Sequence, residues 1–287
     1  MKRTVRCATP AMVILGLLGA TGGAGLVPDD APLSSWLPDG ALSQAFTAQV
    51  AAEICRDHLF DASLEPIALP AGYRLLRAAE LAEGDPAMAA LLRLHPQARD
   101  HAVGSLCAMS VGRFVVDGTQ IRSPVPVAFW WARVEGAARA PLAAAVQWVQ
   151  LGSWYPKGTG AEALIRQTDP MARFTDLEVD PVSPETWRLR LQLDGETVSA
   201  TIRLTSPGKP SKAVGPQVMA VPMSGEAAGF YSVYAYRGHW SRPAQGHWQA
   251  QAGGRFGRSF AVEAPGAPLA TLFQQSWSAQ SGLYRLP

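Results

Sequence analysis

The residue with the clearest potential for covalent chemistry is Lys157, in the segment Leu151–Gly158, LGSWYPKG, where it follows an apolar strand and two aromatic residues. Only four of the 25 basic residues are lysines, so the position of each is informative. If Lys157 is kept out of water, burial favours its neutral amine over the ammonium form. A neutral amine is a nucleophile that can form a Schiff base with a carbonyl substrate. The alternative is a solvated charge at the end of a strand, after a proline turn.

The other titratable groups give weaker indications. None of the five histidines belongs to an HxH or HExxH pair, although His239 and His247 would face each other if the chain formed a hairpin between them. Asp176, Glu178 and Asp180 occupy alternate positions, so in a strand their carboxylates share one face. Such a face can hold Ca²⁺, but it is more typical of a solvated edge strand. The sequence therefore predicts no metal site.

Motif and composition arguments exclude several functional classes. The sequence has no G-x-S-x-G elbow, no P-loop, no dinucleotide fingerprint and no CxxC pair. These absences argue against a serine hydrolase, a nucleotide cofactor and a dithiol enzyme. With 48% hydrophobic and 17% charged residues the chain can form a core, and a net charge of +2 is too small to indicate a nucleic-acid partner. We expect a folded protein without a cofactor, with a small molecule as its possible ligand.

The N-terminus has the order of a secretory signal. Three basic residues among the first six precede an apolar core at residues 11–20, and Gly22 and Ala24 suit the −3 and −1 positions before a cleavage site. The alternative is a retained anchor, since residues 8–27 form an uncharged run of about twenty residues, roughly the length of a membrane span. We therefore expect residues 1–27 to direct export to the periplasm or the medium, or to anchor the chain. No later segment suggests contact with a membrane.

Removal of this leader changes both the charge and the cysteine count. The remaining chain has 22 basic and 23 acidic residues and a formal charge of −1. Cys7 is lost with the leader, and Cys55 and Cys107 remain. An even number of cysteines in an oxidising compartment suggests a disulfide, which would stabilise the fold by roughly 4 kcal/mol in the chain-entropy model. The alternative is two buried thiols, because spacing alone does not place them together.

The first part of the body, residues 28–104, is predicted to be an arm of helices and loops that packs on the main domain. Apolar residues at every fourth position predict a helix over residues 41–59: Leu42, Phe46, Val50 and Ile54. A second helix should begin after Asp85 as N-cap, with proline in its first position. It should end near His95, because the following proline disfavours helix before it.

Beyond about residue 105 the sequence has the period of two that is typical of strands. The strongest signal is Asp194-Gly195 between two alternating runs, which predicts a two-residue hairpin. Several strands are aromatic on both faces, so they should lie between layers or line a cavity. The sequence predicts a mainly β (α+β) fold, with an antiparallel, barrel-like domain over residues 105–287 and with 28–287 forming one unit. The predicted strands are 106–116, 125–134, 145–152, 173–179, 187–193, 196–204, 217–222, 229–237, 246–251, 258–263 and 269–275.

The segment around the lysine resembles a known family. The order of glycine, aromatics, proline and lysine in Gly152–Lys157 is similar to the Gly-Phe-Pro-Lys segment of the acetoacetate decarboxylase family, whose lysine forms a Schiff base. Ala264–Leu269 resembles the family's proline and leucine segment before its last strands. The resemblance covers most of 65–287 and implies a barrel-like β fold around an apolar pocket, with Lys157 as catalytic residue and no cofactor. The chain departs from the family at residues 150–151, Gln-Leu, where the family has an Arg-Glu pair, and in its leader.

Two functions are compatible with these features. The first is an exported β-barrel that binds a small carbonyl-bearing or carboxylate ligand, with or without Schiff-base chemistry at Lys157. Its predicted pocket wall is Trp131, Arg133, Trp154 and Tyr155, with Arg133 paired to a ligand carboxylate. The second is a non-catalytic exported protein whose aromatic strands form core and partner surface. The depth of Lys157 distinguishes them, since an enclosed lysine favours catalysis and a fully solvated one excludes it. The sequence leaves the oligomeric state open.

Overall fold

The computed structural model describes residues 32–37, 39–41, 43–65, 67, 69, 72–121, 123–136, 146–211, 217–221, 230–237, 239–261 and 271–285. The leader 1–27 and the Ala264–Leu269 segment, on which two of the predictions rest, lie outside these residues. Among the helices described, none has the length and apolar character needed to cross a membrane.

Strands dominate the described part of the chain. They are β1 (Ser43–Phe60), β2 (Tyr73–Leu75), β3 (Ala102–Val116), β4 (Thr119–Ile121), β5 (Val125–Gly136), β6 (Val146–Pro156), β7 (Ala172–Thr175), β8 (Leu177–Ser183), β9 (Thr186–Leu193), β10 (Glu196–Leu204), β11 (Lys209–Ser211), β12 (Gln217–Val221), β13 (Phe230–Arg237), β14 (His239–Ala250) and β15 (Thr271–Arg285). The helices are α1 (Ala78–Leu81), α2 (Pro86–Leu94), α3 (Glu162–Thr168) and α4 (Arg255–Ala261). Short 3-10 turns occupy Leu33–Trp36, Ala62–Leu64 and Pro96–Ala98.

Seven strands form a ring of pairings. The order is β1-β3-β5-β6-β12-β13-β15, and β15 pairs with β1 again along most of its length. The pairings are antiparallel except that between β6 and β12, which is parallel. This arrangement confirms the prediction of a mainly β, antiparallel, barrel-like fold. A ring of strands protects edges that would otherwise be exposed.

A second sheet, β14-β10-β9-β8, packs against one face of the ring. Strand β14 joins the two sheets, since its first half pairs with β15 and its second half with β10. The core between the sheets contains buried side chains from β1, β3, β5 and β6 on one side and from β8, β9 and β10 on the other. We call the face of β1, β3, β5 and β6 that is turned away from this second sheet the inner face, and the region beside it the interior.

The inner face of the ring holds a second core at one end. Aromatic and branched side chains from β1, β3, β5 and β6 meet Ile165 of α3 there, including Phe114, Phe129 and Tyr155. Tyr155 and Phe114 stack with ring centroids 6.2 Å apart. At the opposite end α1 and α2 pack on Leu59 of β1 and Val103 of β3 in a separate cluster. The two ends of the interior are therefore bordered by different helices.

The predicted helix over 41–59 is wrong, because residues 43–60 form the long strand β1. A spacing of four is also a multiple of two, so the apolar pattern from Phe46 to Ile54 fits a strand as well as a helix. The register shifts next to Ala51, which leaves Val50 in the interior core and Ile54 in the core between the sheets. Pairing with β3 and β15 on both sides decides the structure of this segment.

The second predicted helix is confirmed, and one predicted strand is not. Helix α2 begins at Pro86, after the predicted cap Asp85, whose Oδ1 accepts a hydrogen bond from the Met88 amide at 3.2 Å. The predicted strand over 258–263 is wrong, because 255–261 form α4. The Glu196 carboxylate accepts two backbone N–H bonds at the start of α4, which a strand there would leave unmade.

The hairpin at Asp194-Gly195 is confirmed. Both residues have positive φ, 53° and 88°, as the tight two-residue turn between twisted strands requires. Strand β9 pairs with β10 in the expected antiparallel register from Leu193↔Glu196 onward. The inward side chains of both strands, among them Leu191 and Val198, are fully buried in the core between the sheets.

Candidate functional site

A row of polar and aromatic side chains crosses the inner face of the ring. The strand registers place Asp57 beside Ser105, Ser105 beside Trp131, and Trp131 beside Gln150. We call these four residues the polar row. Ser105 and Gln150 are almost fully buried, and Asp57 and Trp131 are half-buried. The polar row therefore crosses the ring at the end that α1 and α2 border, away from the aromatic core around α3.

Arg133 lies next to the polar row, two residues beyond Trp131 on β5. Its side chain is half-buried, donates to the Gln147 side-chain oxygen at 3.3 Å and lies over the Trp148 ring at 4.8 Å. Burial lowers the pKa of the guanidinium from its usual value, and the neighbouring Asp57 opposes that shift. The guanidinium thus lies on an aromatic face, and the charge of a nearby carboxyl group favours its charged form.

The Asp57 carboxyl has an unusual pKa for an acid. Burial raises it from 3.8 to about 6, and the nearby Asp85 carboxylate contributes in the same direction. A hydrogen bond with Ser105 and the charge of Arg133 act against this increase. Displaced pKa values of this kind occur frequently at binding and catalytic sites. Asp57 and Arg133 together form a partly desolvated pair of opposite charges at the polar row.

Asp169, in the connection from α3 to β7, joins the polar row to the aromatic core. Its carboxylate accepts hydrogen bonds from the Gln150 amide at 3.1 Å and from the Tyr155 hydroxyl at 2.8 Å. The Met171 backbone N–H donates to it at 3.0 Å. Burial raises the pKa of Asp169, and these hydrogen bonds oppose the increase. The predicted pocket residue Tyr155 thus has a partner inside the protein.

The next row along the interior carries the disulfide. Cys55 of β1 and Cys107 of β3 are paired directly across the ladder with Cα atoms 4.0 Å apart, and their sulfurs are bonded. The structure therefore confirms the predicted disulfide between Cys55 and Cys107. The Glu53 carboxyl, one row further, is 7% exposed and lies 3.6 Å from the Cys55 sulfur. Burial alone raises the pKa of Glu53 from 4.5 to about 7.

The predicted site residues do not form one cluster. Trp131 and Arg133 lie together at the polar row, and Tyr155 reaches it through Asp169. Trp154 points to the opposite face of β6, into the core between the sheets, where it is 1% exposed and donates to the Asp194 side chain at 3.1 Å. Neighbouring residues of a strand face opposite sides, so Trp154 and Tyr155 cannot line the same wall.

Lys157 lies at the surface. Its side chain is 60% exposed and pairs with Asp176 at a distance of 3.5 Å from the amine nitrogen to the carboxylate oxygen. Its backbone N–H donates to the carbonyl of Thr175, so the segment turns along β7 rather than into the ring. The exclusion of water on which the nucleophilic amine depends is therefore not a feature of this position.

The two histidines of the hypothetical metal pair lie on one strand, not across a hairpin. His239 and His247 both belong to β14. Eight residues of extended chain separate positions by roughly 26 Å. The hairpin expected between them is wrong, because β14 continues through Arg242-Pro243 while exchanging its partner from β15 to β10.

An open surface hollow of about 290 Å³ lies between the β9–β10 hairpin and α4. Charged side chains around it pair with one another. Arg255 donates to Glu65 at 2.8 Å and to Asp194 at 3.3 Å, and Arg258 donates to Glu65 at 3.0 Å. Glu196, which also lines the hollow, caps the backbone of α4. These contacts attach α4 to the hairpin and indicate a structural role for the charges.

His58 is one of several described titratable residues whose pKa is shifted mainly by burial and which the sequence patterns did not indicate, the others including Glu53, Asp57 and Asp169. Its Nε2 accepts a hydrogen bond from the Trp130 indole at 3.1 Å, and its Nδ1 lies 3.4 Å from the Arg56 carbonyl. Burial lowers its pKa from 6.5 to about 3. A Cβ on Gly104 would lie 2.9 Å from Nε2, so this glycine is required by the close approach of the ring. Nothing in the sequence around His58, which directly follows Arg56 and Asp57, distinguishes this environment beforehand.

Comparison with solved structures identifies relatives in fold. The acetoacetate decarboxylase of Legionella pneumophila aligns with 92% of this chain and 93% of its own, at a TM-score of 0.51 and 9% sequence identity. The two chains share a fold. The enduracididine biosynthesis enzyme MppR, in complex with pyruvate, aligns over 85% of this chain and 90% of its own with a TM-score of 0.44 and 10% identity. A further acetoacetate decarboxylase structure aligns over 89% and 93%, with a TM-score of 0.41 and 11% identity.

No protein-family model matches the sequence, and no curated protein matches it significantly. The resemblance to the acetoacetate decarboxylase family that the residues around Lys157 suggested is therefore shown as a likeness of fold. At identities of 9–11% the likeness carries no site residue from those enzymes to this chain.

Proposed function

We propose that this chain is an exported, non-enzymatic binding protein that holds a small carboxylate, including carbonyl-bearing acids, at the polar row. The observation that supports this function best is the position of Arg133. Its guanidinium is half-buried at the edge of the ring interior and lies on the Trp148 ring at 4.8 Å. Trp131 stands beside it on the same face of β5.

The chemistry of the guanidinium selects the ligand class. Arginine presents a planar set of N–H donors that matches a carboxylate, and a partly desolvated site strengthens such hydrogen bonds. The indole rings of Trp131 and Trp148, which pack edge to face at 6.5 Å, supply apolar surface for the carbon skeleton of a ligand. The Asp57 carboxylate favours the charged form of the guanidinium, and the Gln147 side chain and the Trp148 ring are its contacts inside the protein.

The proposal assigns no Schiff-base step to Lys157. A lysine that is 60% exposed and paired with an aspartate lacks the enclosed surroundings on which the predicted nucleophilic amine depends. The family resemblance therefore concerns the fold, while the Lys157 hypothesis remains a prediction that is tested below.

Replacement of Arg133 by glutamine is expected to weaken carboxylate binding about 10- to 100-fold, because one charge-assisted hydrogen-bonding group contributes roughly 1.5–3 kcal/mol. Acetoacetate, pyruvate and longer 2-oxo acids are titrated against wild-type protein by calorimetry, with tryptophan fluorescence as second readout. The matched control is R188Q, which removes an exposed arginine of β9. Equal affinity in wild type and R133Q, or binding of none of these acids, contradicts the proposal.

The same mixtures test the enzymatic alternative. After borohydride reduction, mass spectrometry of peptides is expected to find no adduct on Lys157 with acetoacetate, pyruvate or an aldehyde. An adduct at Lys157 that K157R lacks, together with turnover of a β-keto acid, would replace the binding function by a Schiff-base activity.

Export is the second part of the proposal, and it rests on the leader. The mature protein is expected to begin at Gly25, directly after Ala24, and to be found outside the cytoplasm. N-terminal sequencing of protein recovered from the native host checks this. Recovery of a chain that still begins at residue 1 in the membrane fraction favours the anchor, and its recovery from the cytoplasm refutes export.

A further inference from the structure

The two rows of the inner face that follow the polar row contain three groups that the proposed function does not use: the sulfurs of Cys55 and Cys107, and the Glu53 carboxyl one row further. One oxygen or sulfur atom from each residue lies within 4.8 Å of the other two, and all three residues are buried. They belong to two adjacent strands of the ring, so their positions are held by the ladder and not by the disulfide alone.

The Glu53 carboxyl is an unusual neighbour for a disulfide. A bonded sulfur has no proton to donate, so the 3.6 Å contact between Glu53 Oε1 and Cys55 Sγ is not a hydrogen bond. The residues across the ladders, Met109 on β3 and Gln274 on β15, carry no charge. A carboxyl group more than nine-tenths buried in such surroundings is costly unless it has a partner at some stage.

We propose that Cys55, Cys107 and Glu53 form a redox-gated site for a thiophilic divalent cation such as Zn²⁺. The disulfide form is closed to the metal, and the reduced form binds it through two thiolates and one carboxylate oxygen. A water completes the fourth position, as in zinc sites that have three protein ligands. This site is separate from carboxylate binding at Arg133, and neither proposal depends on the other.

The geometry of the three atoms suits such a cation. In a tetrahedral zinc site, bond lengths of about 2.3 Å to sulfur and about 2.0 Å to oxygen place a sulfur and an oxygen ligand about 3.5 Å apart. The separation of Glu53 Oε1 and Cys55 Sγ is already 3.6 Å. Two thiolate ligands of one zinc lie about 3.8 Å apart. Side-chain rotation alone can reach that separation, because the Cα atoms lie 4.0 Å apart on paired strands.

The donor set selects the cation. Thiolates favour soft or borderline metals, which excludes Mg²⁺ and Ca²⁺. Two thiolates without a third ligand would suffice for Cu⁺, whereas a tetrahedral divalent ion needs the carboxylate oxygen. A loss of metal affinity when Glu53 is replaced would therefore distinguish a divalent cation from Cu⁺.

The redox step is balanced by an external dithiol. The dithiol gives two electrons and two protons to the Cys55–Cys107 bond and becomes a cyclic disulfide, while the protein gains two thiols. Binding of Zn²⁺ then forms two metal–sulfur bonds and one metal–oxygen bond and releases the ligand protons to solvent. Reoxidation by a disulfide oxidant reverses the sequence and expels the metal.

The test uses full-length protein with the Cys7→Ser substitution, so that only the two bridge sulfurs are measured. Protein is reduced with dithiothreitol, freed of it without oxygen, and titrated with Zn²⁺ against a chromophoric chelator and with Co²⁺ by absorption spectroscopy. We expect one equivalent per chain, with a tetrahedral Co²⁺ spectrum that contains thiolate charge-transfer bands. The oxidised protein is expected to bind none at this site.

Two variants complete the test. E53Q should weaken Zn²⁺ binding by the reduced protein at least about tenfold, whereas the exposed control E83Q should leave it unchanged. Equal affinities in E53Q and E83Q, binding by the oxidised protein, or absence of binding overturn the proposal. Circular dichroism of the reduced protein is recorded in parallel. Loss of the β signal on reduction also overturns the proposal, because the site requires paired strands.

Discussion

Replacement of His58 by glutamine is expected to remove a stability loss of up to roughly 4–5 kcal/mol that the wild-type protein suffers between pH 7 and pH 3. The buried ring has a pKa of about 3 in the fold and 6.5 in its ordinary state. Protonation is therefore easier in the unfolded chain, so the His58 contribution is complete above pH 6.5 and declines as the pH falls toward 3. Urea unfolding at a series of pH values measures it.

The pH dependence separates this electrostatic effect from simple repacking. Glutamine at position 58 alters the contact with the Trp130 indole, but that cost is the same at every pH. The difference in unfolding free energy between wild type and H58Q should therefore change with pH, and it should level off above pH 6.5. H247Q, which replaces an exposed histidine, serves as the matched control. Parallel pH curves for wild type and H58Q would mean that the ring is not held neutral in the fold.

The second large prediction concerns Glu53, which lowers the stability of the wild type as the pH rises, whereas His58 lowers it as the pH falls. Glu53→Gln is expected to stabilise the oxidised protein by up to roughly 3 kcal/mol at pH 8, because the buried carboxyl has a pKa of about 7 in the fold against 4.5 ordinarily. The folded protein holds this proton more tightly than the unfolded chain. The wild type therefore loses stability as the pH rises from 4.5 through 7, while the glutamine variant does not.

Unfolding curves of wild type, E53Q and E83Q at pH 4.5, 6 and 8 decide this prediction. The advantage of E53Q should be small at pH 4.5, where Glu53 is protonated in the fold, and largest at pH 8. The samples contain a chelator, so that no metal contributes. An E53Q protein that is less stable than wild type at pH 8 would show that the carboxylate has a favourable partner in the fold.

His58 and Glu53 together determine the pH range in which the fold is most stable. As the pH falls through 7 toward 4.5, protonation of Glu53 stabilises the protein. Below pH 6.5 the loss through His58 opposes this gain, while protonation of Asp57, with a pKa of about 6, adds to it. Below about pH 4.5 the loss through His58 is no longer balanced by Glu53. The wild-type protein should thus be most stable in mildly acidic solution, with E53Q and H58Q altering opposite sides of the maximum.

The sequence correctly predicted those local parts of the fold whose conformation depends on a single short-range interaction. The Asp194-Gly195 turn requires positive φ at both positions, and few residue types other than Gly, Asn and Asp accept it readily. Asp85 and Pro86 determine the start of α2 because a cap and a missing N–H act within one turn of helix. Cys55 and Cys107 were identified as partners by their number and expected compartment, although their spacing could not place them on facing strands.

Long-range pairing decided what the sequence could not. The four-residue spacing in β1 is compatible with either periodicity, and partners 42 to 68 residues away on β3 and more than 200 away on β15 select the strand. The segment 255–261 becomes helical where Glu196, about 60 residues earlier, accepts the first N–H groups. Information of this range is absent from any local pattern.

In the candidate site, too, some features follow from the local sequence and others depend on the tertiary structure. The sequence by itself placed Trp131 and Arg133 on one face of a strand and Lys157 after the end of β6. It also assigned Trp154 and Tyr155 to one pocket wall, whereas in the structure these neighbours face opposite sides of β6 and belong to different cores. Only the tertiary structure decided that the Lys157 side chain is exposed and that Arg133 lies near enough to Asp57 for their charges to interact. Alternation along a strand is a local steric property, whereas burial and charge proximity depend on which strands become neighbours when the ring of pairings forms.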